Sequence, residues 1–167
     1  MITLSNSDGD TLQFWVSGYQ YPDPDGYYWD LNWLSVNVRW QRAEAIWQAS
    51  DPCLSTEELL DLREWFTCCE QAKQASESIE FMEPCLKFAW LTDANVPRLR
   101  VDLRHELYPG NTLNLPPTLQ SVTKMTTDPN EDRSFWLEFP LPAINISALA
   151  MDLQAMIDQH PVRHEST

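Results

Sequence analysis

A chain of 167 residues is long enough for one domain that buries about 70% of its unfolded surface, and 43% hydrophobic residues with eight Trp, five Tyr and six Phe exclude wholesale disorder. A net charge of -14 disfavours a nucleic-acid ligand, which is itself a polyanion, and favours a basic protein partner. The opening MITLSNSDGD lacks the parts of a secretory signal, and no apolar run approaches the roughly 20 residues that span a bilayer, so the chain is expected to be cytoplasmic, with no membrane contact.

Residues 2–5 and 11–17 read as an N-terminal hairpin: Leu12, Phe14 and Val16 alternate with Gln13, Trp15 and Ser17, and Ser7-Asp8-Gly9-Asp10 supplies turn chemistry. From Gly18 to Asp30 two Pro and two Gly forbid a regular central strand, and nearly everything else is aromatic or carboxylate. No Lys or Arg precedes Arg39, so this loop closes a purely acidic N-terminal segment. Within it, Asp23, Asp25 and Asp30 have cation-ligand chemistry, yet Asp-Pro-Asp lacks the rest of a calcium loop, and turn formation accounts for them.

Strict alternation begins at Trp33, with Leu34, Val36, Val38 and Trp40 opposite Ser35, Asn37, Arg39 and Gln41. A second strand, Ala45 to Ala49, pairs with it through Arg42-Ala43-Glu44, a connection without Gly. Ser55 stands three positions before Glu58, as a capping box requires, and Leu59, Leu62, Phe66 and Cys69 form an apolar stripe. A helix is therefore expected from Thr56 to Lys73.

Strands follow at Ile79 to Met82, Cys85 to Leu91 and Arg98 to Leu107, the last placing His105 on the core face and Arg98, Arg100 and Arg104 on the polar face. The connection from Tyr108 to Asn130 holds a short strand around Leu119 to Met125, and Ser134 to Phe139 supplies the last strand. Ser147 starts a helix with Leu149, Leu153, Met156 and Ile157 inward, which Pro161 ends. The expected fold is α+β: an antiparallel β-meander sheet with one central and one C-terminal amphipathic helix packed against it. It forms one domain over residues 1–161, with a disordered tail over 162–167.

Catalytic signatures are missing from the sequence. It has no GxSxG, HExxH, P-loop or GxGxxG, only four Gly and three His, and a core-face His105 reads as a satisfied imidazole rather than a base. Cys53, Cys68, Cys69 and Cys85 form no CxxC pair and have no His at zinc-ligand spacing, so reduced, mostly buried thiols are expected, with no metal and no cofactor. The chain reads as a binding protein and not an enzyme.

The segments GYQYPDPDG, WDLNWLSVNV and WQASDPCLSTEELLDLREW together resemble the WapI-like family of bacterial immunity proteins. The matching residues are Asp30, Asn32, Trp33, Leu34, Trp47, Asp51, Pro52, Cys53, Leu54, Glu58, Leu59 and Trp65, within residues 14–67. Leu31 departs from the small residue expected there. The resemblance implies a protein of a polymorphic or contact-dependent toxin system that neutralises a cognate toxin, a nuclease-type effector domain, by stoichiometric binding. Residue chemistry places that contact on Tyr19, Tyr21, Asp23, Asp25, Tyr27 and Tyr28, which combine charge for encounter with rings for anchoring, and assigns Trp29, Trp33 and Trp65 to the core. Three alternatives stand beside it: an acidic nucleic-acid mimic that inhibits a defence nuclease, a small enzyme, which would need a pocket of convergent polar groups such as one around His105, and a non-catalytic scaffold subunit. Neither the toxin's chemistry nor the oligomeric state follows from the sequence.

Overall fold

The computed structural model describes residues 1–23, 27–70, 77–92, 95–109 and 134–164. The first sheet is formed by β1 (Ile2–Ser5), β2 (Asp10–Tyr19), β3 (Trp33–Arg42) and β4 (Ala45–Ser55), in that spatial order and antiparallel throughout. A one-turn helix α1 (Tyr28–Leu31) precedes β3, and α2 (Thr56–Glu70) follows β4 without a linker. The second sheet is formed by β5 (Ser78–Glu80), β6 (Leu86–Leu91), β7 (Arg98–Arg104) and β8 (Ser134–Pro140), again in chain order, before the C-terminal helix α3 (Ile146–Gln159).

The α+β class is as read from the sequence, but the meander is divided into two four-stranded sheets. Each has one apolar face, and the two long helices among the described residues cannot cover eight strands, so the faces bury each other. Phe14 of β2 meets Phe88 of β6 edge to face at 6.5 Å, and Trp40 of β3 meets Phe135 of β8 at 5.4 Å. The helices close the open side. Phe66 of α2 packs on Phe88 at 5.8 Å, Trp65 packs on Trp90 at 6.0 Å, and Arg63 of α2 hydrogen-bonds Gln154 of α3.

Local signals placed the β3–β4 hairpin and the start of α2, although β4 runs on to Ser55, past the Ala49 expected, and the helix end expected at Lys73 lies outside the described residues. The capping box is reciprocal: the Glu58 amide donates to Ser55 Oγ at 3.1 Å, and the Ser55 amide donates to Glu58 Oε2 at 2.8 Å. The β3–β4 hairpin turns without Gly because Ala43 takes a left-handed φ of 52°. Asn145, not Ser147, caps α3, accepting from the Ala148 amide at 3.0 Å, and the helix starts at Ile146. The strand expected from Leu119 to Met125 lies outside the described residues.

One expectation fails at the end of β7. The alternation predicts a strand through Leu107 with His105 inward, whereas the strand stops at Arg104 and His105 takes a φ of 46° in a 3-10 turn, His105–Leu107. His105 and Glu106 are exposed, and Leu107 alone returns to the core. Alternation carries no information about a reversal in chain direction, so an HxL pattern reads as strand until the backbone turns.

Candidate functional site

The described ends of the acidic, aromatic loop, residues 18–23 and 27–32, are held in place from three sides. A bulge between Val16 and Gly18 bends the end of β2 toward the rim of the first sheet, with Gly18 at a φ of 152° that disfavours a side chain. The Gln20 amide then donates to the Trp33 carbonyl at 2.8 Å, which returns the loop to β3. At the far end, α1 delivers Leu31 and Asn32 into the core, with exposures of 1% and 3%.

Asn32 joins this loop to the C-terminal segment. Its amide nitrogen donates to the Arg163 carbonyl at 3.0 Å, and its Oδ1 accepts from the Arg163 amide at 2.8 Å and from Thr56 Oγ1 at 3.1 Å. A side-chain amide paired with the backbone on both edges tolerates neither Asp nor Leu. The Arg163 guanidinium lies 3.4 Å from the centre of the Tyr19 ring and donates to the Tyr21 carbonyl at 2.9 Å, while the Tyr19 hydroxyl donates to the Pro161 carbonyl. His160 packs edge-on against Tyr19 at 5.7 Å. Arg163 belongs to the segment in which only a tail was expected, and no local pattern marks its role.

Of the residues predicted to bind, Tyr21, Asp23 and Tyr27 are exposed, the two tyrosines at 47% and 80%. Tyr19 is half-buried and engaged on both sides, so it supports the surface rather than tipping it. Asp25 and the side chain of Tyr28 lie outside what the structure describes, as does the side chain of Trp29; Trp65 is buried and Trp33 half-buried.

A second acidic surface was missed. Glu57, Asp61 and Glu64 are exposed at helical spacing along α2, and Asp61 is held above the usual carboxylate range by partial burial and by Glu58, Glu64 and Glu57. In the sequence these acids read as helix-dipole partners, and only the solvent-facing side of the folded helix shows them as a stripe.

The model of the immunity protein WapI-like family matches residues 2–161, far beyond the segments that carry the sequence resemblance. The chain belongs to the WapI-like immunity protein family. No curated protein and no solved structure matches it. As a WapI-like protein it has an immunity role, and the partner implied by that role is a cognate toxin protein. The family-matching residues are mostly framework: Leu34, Trp47, Cys53, Leu54, Leu59 and Trp65 are buried, and Asn32 and Glu58 are hydrogen-bonded at the open end of the β3–β4 hairpin. The described ends of the loop between β2 and α1 thus adjoin this buried framework of the WapI-like fold. No helix among the described residues is long and apolar enough to cross a membrane.

Proposed function

We propose that this immunity protein neutralises its toxin by stoichiometric binding, without catalysis, through the rim formed by Tyr19, Tyr21, Asp23, Asp25, Tyr27 and Tyr28. The toxin is a basic, nuclease-type effector domain of a polymorphic or contact-dependent system, met in the cytoplasm. The observation that carries this reading is the pairing of exposed Tyr21, Asp23 and Tyr27 with a backbone anchored by Asn32 and Arg163. Residues already anchored beside Tyr21 and Asn32 lose little conformational entropy when neighbouring rings are desolvated, and that lowers the cost of association. Charge supports it too: the carboxylates steer a basic partner, and tyrosines in desolvated pockets slow its release.

The test is the affinity of the purified pair together with rescue of toxin-expressing cells. Reversing charge with Asp23→Lys and Asp25→Lys is expected to weaken binding by at least about tenfold, roughly 1.4 kcal/mol, mainly through a slower on-rate with a flatter salt dependence. Truncating Tyr21 and Tyr27 to Ala is expected to speed dissociation instead. Unchanged affinity in both sets would move the contact off this rim, and a toxin that forms no complex and is not neutralised would remove the binding mechanism itself.

A further inference from the structure

Three donor atoms from distant parts of the chain meet at the rim of the core beside the start of α2. Asp51 occupies an inward-facing position of β4, paired with buried Val36, where the alternation otherwise supplies Ala45, Trp47 and Cys53. Cys85, buried, lies in the turn before β6, and Glu106 lies in the 3-10 turn after β7. A hydrogen bond from the Arg104 amide to the Cys85 carbonyl at 2.8 Å holds the two turns together. The Cys85 Sγ is 3.2 Å from Glu106 Oε2 and 3.9 Å from Asp51 Oδ2, and one donor atom from each residue lies within 4.8 Å of the others.

A simple S–H···O hydrogen bond accounts for only one of these contacts, because a thiol has one proton. It leaves unexplained why a second carboxylate points at the same sulfur from inside the sheet. Burial, Glu106 and Glu83 all raise the Asp51 carboxyl above its ordinary range, and burial with the Glu106 hydrogen bond pushes the Cys85 thiol up to about 12. Among the described residues neither Asp51 nor Glu106 is ion-paired with a Lys or Arg. Two carboxylates therefore converge on a soft donor with no Lys or Arg paired to them, and the positive group that acts on Glu106 is the neighbouring His105.

The spacing suits a particular class of ion. A tetrahedral zinc with a Zn–S bond of about 2.3 Å and Zn–O bonds of about 2.0 Å sets its sulfur and oxygen ligands about 3.5 Å apart. The two observed sulfur–oxygen distances lie on either side of that value. Glu106 is exposed, so its carboxylate can close on the ion without disturbing the core. We propose that Asp51, Cys85 and Glu106 form a binding site for a divalent ion of zinc's borderline-soft chemistry, with Cys85 as the thiolate ligand and water in the fourth position. Binding expels the Cys85 proton, so affinity rises with pH, and the ion clips the edge of the first sheet to both ends of the β6–β7 hairpin. None of the three residues belongs to the proposed toxin-binding rim.

The test uses the full chain freed of metal by a chelator. Calorimetric titration with Zn2+ is expected to show one equivalent bound, and Co2+ titration to show a thiolate-to-cobalt charge-transfer band saturating at one equivalent. Cys85→Ser is expected to abolish the band. Glu106→Gln, at an exposed position where the fold is preserved, is expected to weaken binding at least tenfold, while Cys68→Ser and Cys69→Ser leave it unchanged. Absence of one-equivalent binding, binding that survives both Cys85→Ser and Glu106→Gln, or a band that disappears with Cys68 or Cys69 would overturn the proposal.

Discussion

Replacing Asp10 by Asn removes one charge from a carboxylate that is 2% exposed and leaves Arg42, whose side chain is 8% exposed, without its partner. In the native fold the Asp10 carboxylate accepts from Arg42 Nε at 2.6 Å, from Arg42 Nη2, from Trp40 Nε1 at 2.8 Å and from Asn6 Nδ2 at 2.9 Å. Breaking a buried pair from one side costs about 3–5 kcal/mol. The lower end applies, because a cleft of about 220 Å3 lined by Asn6, Asp10, Arg42 and Glu138 admits water to the stranded guanidinium. For a chain of this length, a loss of about 3 kcal/mol lowers Tm by about 6–12 °C. Burial opposes ionisation of Asp10, but its bonds to Arg42, Asn6 and Trp40 outweigh that, so its pKa is below the unfolded value of 3.8. A depressed carboxylate stabilises the fold fully above the unfolded value, and that contribution is lost as pH falls through the folded one. The gap between wild type and Asp10→Asn, measured by urea unfolding, is therefore expected to be widest near neutral pH and to shrink below about pH 4. Adding Arg42→Met is expected to recover part of the loss. A variant within about 0.5 kcal/mol of wild type at pH 7, or a gap that does not depend on pH, would refute the assignment.

Ser55→Ala removes one half of the reciprocal cap on α2 and is expected to cost about 1 kcal/mol, seen as a Tm lower by about 2–4 °C; an unchanged Tm would mean that the cap is dispensable. Ala43→Gly relieves a left-handed alanine in an exposed turn and is expected to stabilise by about 1 kcal/mol in the same assay, whereas destabilisation would show that the φ of 52° is unstrained. Asp61→Lys replaces repulsion from Glu57 and Glu64 with two helical ion pairs, each contributing about 0.3–0.5 kcal/mol, and raises Tm. Measured against the toxin, the same variant separates the two acidic surfaces: the proposed rim predicts near-native affinity, and a large loss would place the contact on α2.

The elements whose causes are local were legible in advance. The capping box of Ser55 and Glu58, the alternation from Leu34 to Trp40 and the apolar stripe of Leu59, Leu62 and Phe66 act over three to seven residues, and each formed where the pattern placed it. The family resemblance was legible for the same reason, because Asp51-Pro52-Cys53-Leu54 and the helix behind it are constrained by packing within one segment. His105 was misplaced because a strand pattern and a strand followed by a turn look alike until the chain reverses.

The amino-acid sequence alone determined a strongly acidic, aromatic-rich composition, the α+β class and the position along the chain of its acidic, aromatic segment. Tertiary structure decided that the strands divide into two stacked sheets, that Arg163 returns to Tyr19 and Asn32, and that Asp51, Cys85 and Glu106 converge. These last contacts join residues tens to more than a hundred positions apart. Periodicity and capping report on neighbours along the chain, whereas such meetings follow from how two sheets and two helices bury their apolar faces together, and no local pattern encodes that outcome.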